Sequence, residues 1–279
     1  MEADYKWSVR AFAEVRHRPW PIVMNQTWHD LLFAHWPVDR ELLQTKVPPG
    51  LHLDLHDGQA WLGVVPFWMS NVRPRGLPPI PWLSTFAELN VRTYVTVGGT
   101  AGVYFFSLDA ARALAVIAAR TFLNLPYYFA QMSVRRGVDD QIRYTSRRVT
   151  VGSAPAELKA SYEPFGPVFE PTPGSLEYFL TERYCLYNLD VRQRIQRLDI
   201  HHPPWRLQQA RASIEVNTMA AAAGIPLPSI APLLHFSKQQ NAVAWPPKLV
   251  GNTLATQPLC HDQDIDGYAD ARVQVSKAP

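Results

Sequence analysis

The residues best suited to chemistry lie on one predicted strand. In FAELNVRTYVTV, residues 86–97, Glu88, Asn90, Arg92 and Tyr94 alternate with Ala87, Leu89, Val91, Thr93 and Val95, so the two sets face opposite sides. Same-face neighbours on a strand lie about 7 Å apart, which puts Glu88 and Arg92 about 13 Å apart with Asn90 between them. If this face lines a cavity, it supplies a carboxylate, an amide and a guanidinium. The carboxylate can exchange a proton next to a carbonyl, and the arginine can hold a substrate carboxylate by a two-point contact. The same alternation fits the wet face of an antiparallel sheet. A second candidate is the tyrosine pair of LPYYFA, residues 125–130. Tyr127 or Tyr128 can donate to an oxyanion or polarise a carbonyl, and adjacent aromatics at a strand start also serve packing. Only one of the two can face a given side, strand register decides which, and Tyr127 is preferred over Tyr128 as the residue that faces Glu88.

Other chemistry finds less support. His29, His35, His201, His202, His235 and His261 show no HExxH pattern and no His/Cys zinc spacing, so no metal is expected. DQDIDG places Asp262, Asp264 and Asp266 at alternate calcium-ligand positions and Gly267 at the turn. Val273 stands where the bidentate glutamate belongs, so the segment reads as an acidic tail. There is no GxSxG, and Cys185 in TERYCLY reads as a buried, inert thiol. VGGTAG lacks the Walker lysine and the third glycine of a dinucleotide loop, and reads as a hairpin turn. No cofactor is expected.

The chain that must position these residues has 279 of them, 47% apolar and 18% charged, enough for a large core. The net charge of +3 comes with scattered arginines rather than a basic patch, which argues against nucleic acid. Cys185 and Cys260 form neither a metal spacing nor a disulfide framework, which fits a reduced, cytoplasmic setting. MEADYKWSVR has no apolar stretch typical of a signal peptide. No run approaches the roughly 18 apolar residues of a membrane span; Leu108 to Leu125 is broken by Asp109, Arg112 and Arg120. The 25 prolines predict short elements.

Residues 28–47 read as short helical pieces with Asp39 as an N-cap. Two strands are predicted around Asp57-Gly58, then a proline-rich loop over 73–84. After the 86–97 strand, GGTAG turns the chain into VYFFS, and Ser107 is expected to cap a buried helix running to about Leu123. LPYYFA, DQIRYTSRRVTV and ELKASYEP follow as strands, GSLEYFLTERY as a helix capped by Ser175, and a further strand after Trp205. The expected fold is α+β, mainly antiparallel β, with one domain over 1–250 and a tail over 251–279.

WLGVVPFWM, FAELNVRTYV, GVYFFSLDA, LPYYFA, IRYTSRR, LTERY and HHPPW together resemble the YqjF-like family of bacterial proteins, over roughly residues 20–247. That family is grouped with the acetoacetate decarboxylase-like fold. The resemblance implies a cone-shaped antiparallel β-barrel with helices packed outside and a cavity within. A more distant likeness to the decarboxylases themselves covers mainly residues 84–130. In those enzymes a glutamate-bearing strand precedes a hairpin, a helix ending in Gly-Arg-Glu, and Pro-Lys-Lys, one lysine of which forms a Schiff base. Here Glu88 resembles the glutamate, Arg120 falls near the arginine, Pro126 matches the proline, and Tyr127 and Tyr128 stand where the lysines would be. A phenol forms no Schiff base. Lys6, Lys46, Lys159, Lys238, Lys248 and Lys277 include no pair and none in the matching segment.

The resemblance therefore implies the fold and the cavity and argues against imine-based decarboxylation. The expected function is an internal site for a small carbonyl or carboxylate compound. Glu88, Tyr127 and Tyr128 are its candidate catalytic residues, and Asn90, Arg92, Tyr94 and Arg120 its candidate binding residues. The alternatives are a binding or sensing protein without turnover, and an interaction scaffold whose cavity is filled by its own side chains. The decarboxylases assemble into large oligomers, so a homo-oligomer is implied by the resemblance alone; the sequence itself carries no interface signature.

Overall fold

A computed structural model describes residues 23–80, 82–113, 124–137 and 140–252. Thirteen strands among these residues form one sheet in the order β13-β10-β9-β5-β6-β7-β8-β11-β12-β1-β3-β4-β2. The strands are β1 (Met24–Val38), β2 (His52–Leu53), β3 (Ala60–Pro74), β4 (Phe86–Val97), β5 (Thr100–Ala110), β6 (Tyr127–Arg136), β7 (Ile142–Arg148), β8 (Glu157–Phe169), β9 (Cys185–Leu189), β10 (Arg194–His201), β11 (Leu207–Asn217), β12 (Leu233–Ala244) and β13 (Lys248–Asn252). Pairing is antiparallel except for β5–β6 and β5–β9. Three short helices are described: α1 (Arg40–Lys46), α2 (Leu176–Thr181) and α3 (Met219–Ala222). None of the described helices is long and apolar enough to cross a membrane.

Two further pairings, β4–β5 and β10–β12, join strands that are not neighbours in that order. The run β12-β1-β3-β4-β5 is thereby linked end to end twice, once through β6-β7-β8-β11 and once through β9-β10. This run accordingly has apolar clusters on both faces. Leu32, Leu62, Leu89 and Val91 join Tyr144, Leu158 and Tyr162 of the longer connection. On the opposite face, Phe33, Phe67 and Trp205 form one cluster, and Tyr94, Leu108, Leu186 and Leu198 another.

Several predicted elements are present. The 86–97 strand is β4, and the turn at Gly98 and Gly99, both at positive φ, joins it to β5 as a hairpin. Asp39 caps α1 by accepting from the Leu42 N–H at 2.7 Å, and Ser175 caps α2 by accepting from Tyr178. Cys185 is buried and donates to the Ala101 carbonyl.

Other expectations are corrected. Residues 28–38 are not helical: β1 is a 15-residue strand, buried continuously from Asp30 through Trp36. A run such as LLFAHW, buried on both faces, carries no period that separates strand from helix. Pro37 is accommodated because β12 pairs with β1 only as far as His35, so the missing N–H falls where no ladder bond is needed. Ser107 does not cap a helix. It lies within β5, opposite Val91, and the next residues, Leu108–Ala110, pair in parallel with Tyr127–Phe129. That pairing outweighs the local capping signal; most of the predicted helix, 114–123, lies outside the described residues. Asp57 and Gly58 do form a turn at positive φ, closed by a bridge from His56 to Gln59, but β2 pairs with β4 rather than with β3. Gly251 and Asn252 belong to β13. The rest of the predicted tail, with Asp262, Asp264 and Asp266, and also Cys260 and Arg120, lies outside the described residues.

Candidate functional site

The polar face of β4 is buried. Glu88 is 3% exposed, Asn90 6% and Tyr94 fully buried, while Leu89, Val91 and Val95 on the other face are equally enclosed. The wet-face alternative is thus excluded: β4 stands in a wall with chain on both sides, and its alternation separates an apolar interior from a partly polar one. Phe67 on β3 and Ala110 on β5 flank Glu88, and Leu108 lies opposite Asn90.

Tyr127 reaches this face from β6. Asn124, at φ 51°, and Pro126 lead into the strand, and the parallel pairing sets Tyr127 beside Leu108. The Tyr127 hydroxyl donates to Glu88 Oε2 at 3.0 Å. Burial pushes the Glu88 carboxyl up from 4.5 to about 8; the Tyr127 hydrogen bond works against that shift and the charge of Asp109 adds to it. Burial, then Glu88 itself, holds the Tyr127 phenol well above its ordinary 10.0. The pair is therefore a carboxylic acid and a phenol, both largely protonated at neutral pH, that share a hydrogen bond in a desolvated place.

Tyr128 points the other way. Its ring lies 3.9 Å from the guanidinium carbon of Arg148, which grips Asp109 through two hydrogen bonds of 2.7 Å. This is an enclosed ion pair capped by an aromatic face.

Arg92 and Tyr94 converge on one carbonyl. Arg92 Nη2 donates to Leu180 O at 3.0 Å and the Tyr94 hydroxyl donates to the same oxygen at 2.7 Å. His35 Nε2 lies 2.7 Å from the Tyr94 oxygen. Burial, then the charge of Arg92, keeps His35 well below its ordinary 6.5, so it is neutral. The Arg92 guanidinium lies 5.4 Å from the Phe33 ring centroid and 5.8 Å from that of Tyr94.

Asn90, like Tyr94 and Arg92, thus sits on the same face as Glu88, while Tyr128 does not, and Arg120 is outside the described residues. Sequence patterns mark His35 and His235 only as metal candidates, yet His35 lies within the field of Arg92 and His235 within that of His35. Both are fully buried, and they sit on β1 and β12, the first of which does not read as a strand. Among the described residues no three His, Cys, Asp or Glu side chains gather as a metal site. An open cleft of about 550 Å³, lined by Trp68, Phe86, Arg112, Phe129 and Met132 among others, contains none of the predicted site residues.

The profile of the DUF2071 family, described as an uncharacterized conserved protein, matches residues 25–241. The chain is 49% identical over 224 residues to the uncharacterized protein YqjF of Bacillus subtilis strain 168, covering 80% of this chain and 91% of that one. Among solved structures, the enduracididine biosynthesis enzyme MppR complexed with pyruvate superposes with a TM-score of 0.57 at 11% identity, over 84% of this chain and 92% of that one. Acetoacetate decarboxylase from Legionella pneumophila superposes with a TM-score of 0.55 at 16% identity, over 85% of this chain and 91% of that one. At such identities the likeness is one of fold. The chain belongs to the DUF2071 family of YqjF-like proteins, built on an acetoacetate decarboxylase-like fold.

Proposed function

We propose that the chain binds a small carbonyl or carboxylate compound against the polar face of β4 and moves a proton on it without a Schiff base. The observation that carries this reading is the hydrogen bond from Tyr127 to Glu88, with the carboxyl pushed up to about 8. A carboxyl that titrates there is protonated at neutral pH and can give its proton to a developing enolate, or take one back as the pH rises. Tyr127 donates its proton to Glu88 Oε2 and so orients that carboxyl, and a ligand that displaces this bond gains the O–H for a carbonyl oxygen. Arg92 supplies charge for a carboxylate, and Asn90 lies between the two ends. We read the two circuits of strand pairings as closed barrels sharing the wall β12-β1-β3-β4-β5, with the site inside the smaller one. MppR, of similar fold, is complexed with pyruvate, which supports a small carbonyl carboxylate as the ligand class.

Among the described residues imine chemistry has no supporting lysine. The described lysines, Lys46, Lys159, Lys238 and Lys248, are all exposed. Borohydride treatment with keto acids is expected to leave the chain's mass unchanged, and an adduct on any lysine would refute this part of the reading. Glu88→Gln is expected to abolish turnover of the active compound while leaving its affinity within a few-fold. If Glu88→Gln weakens binding and the wild-type chain turns over none of the compounds it binds, the protein is a binding or sensing module.

A further inference from the structure

We propose that the pole of the site beside Arg92 is built for a hydroxyl group, so that the preferred ligand is a small hydroxycarboxylate; this rests on the reading of the site given above and narrows it. Arg92 has no carboxylate partner among the described residues, and its Nε has no hydrogen-bond partner. A guanidinium enclosed against Phe33 and Tyr94 without a counter-ion calls for an anion. Its surroundings then decide what else that anion must carry.

The Tyr94 hydroxyl spends its proton on Leu180 O, so its oxygen can only accept from His35. Nε2 of neutral His35 therefore bears the proton, and Nδ1 is a bare acceptor. Nδ1 is buried and has no partner. The Cδ2–Nε2 edge of the ring faces Gly63 on β3, since a Cβ there would stand 3.0 Å from both atoms. The Nδ1 edge is thereby turned toward β12, which carries His235. Neither ring nitrogen of His235 makes a hydrogen bond, with the Glu177 carboxylate 3.9 Å from Nε2, and the Trp205 indole N–H has no partner either. Trp205 and Phe33 meet edge-on, with ring centroids 4.9 Å apart, and Phe33 also stacks with His35.

The pole thus combines donors at Arg92 and Trp205, an obligate acceptor at His35 and one of each at His235. A plain carboxylate satisfies the donors and leaves its negative charge facing the His35 lone pair. A hydroxyl on the same molecule donates to His35 Nδ1 and accepts from an N–H of His235 or Trp205. An ammonium group in that place would set a second cation beside Arg92.

The test compares matched acids on the full chain by isothermal titration: glycolate against acetate, lactate against propionate, and 3-hydroxybutyrate against butyrate. At least one hydroxy acid is expected to bind about tenfold or more tightly than its partner, because the partner leaves a buried acceptor unmet. His35→Phe removes the acceptor and is expected to reduce that preference to about twofold or less. Equal affinities within every pair, or a preference that survives His35→Phe, overturn the inference while leaving carboxylate binding standing. Failure of all six acids to bind overturns the proposed function with it. If His35→Phe does not fold, the wild-type comparison of the three pairs still decides.

Discussion

At the scale of single residues, the Glu88–Tyr127 pair makes a directional prediction. The Tyr127 hydrogen bond lowers the Glu88 pKa against the larger effect of burial. Tyr127→Phe should therefore raise the carboxyl further above about 8, by about a unit, as followed in a carbon-13 carboxyl titration. A shift downward would mean that water enters and that desolvation is not the dominant cause. The identity of these residues was legible in the sequence, since strand alternation alone puts Glu88, Asn90, Arg92 and Tyr94 together. Their burial was not. Alternation says that two faces differ, not what lies beyond each, and on β4 both faces are enclosed. The choice of Tyr127 over Tyr128 depends on register with β5, which is set by the parallel pairing of Leu108 with Tyr127, between segments separated by the stretch 114–123.

At the scale of elements, the strands with clear alternation and the capped helices α1 and α2 were legible because their signals are local. β1 was not, because burial on both faces removes its period, and the end of β5 was not, because a tertiary pairing replaced the helix that Ser107 suggested. Two glycines show how closely these strands approach their neighbours. A Cβ at Gly102 would stand 2.7 Å from Cys185 Sγ and from Tyr187 Cε2, and 2.8 Å from the Cys185 carbonyl oxygen, where β9 joins β5. A Cβ at Gly63 would meet only side chains, the His35 ring at 3.0 Å and Arg92 Cγ at 3.4 Å. Side chains yield more readily than a carbonyl in a ladder. Gly63→Ala is thus expected to cost about 1–2 kcal/mol and to push His35 off Tyr94, and Gly102→Ala to cost about 3 kcal/mol or more by prising β5 from β9. Urea unfolding of both variants measures the order. If Gly63→Ala proves the more damaging, the β5–β9 contact is looser than these distances imply.

At the scale of the whole molecule, the buried titratable groups around the shared wall set opposite limits on stability. Glu88 titrates at about 8 when folded, against its ordinary 4.5. Between those values the folded chain keeps a proton that the unfolded chain has released, so stability falls as pH rises through the window. His202 is buried and held down to about 4 from an ordinary 6.5, chiefly by desolvation. Between those values the unfolded chain binds a proton that the folded chain refuses, so stability falls as pH drops through the window. His35, His235 and His29 are also lowered, with burial as the first cause in each. Below 6.5 several imidazoles oppose the carboxyls of Glu88 and Asp109, both raised by burial, and the acid limb follows the histidines. Above it, Glu88 alone among these groups still titrates. Stability should therefore peak near pH 6.5 and fall by about 2 kcal/mol toward pH 8, at 1.36 kcal/mol per unit. Urea unfolding across this range should show Glu88→Gln flattening the alkaline limb and sparing the acid one. An alkaline limb that persists in Glu88→Gln would place the titrating group elsewhere and remove the protonated carboxyl from the proposed chemistry.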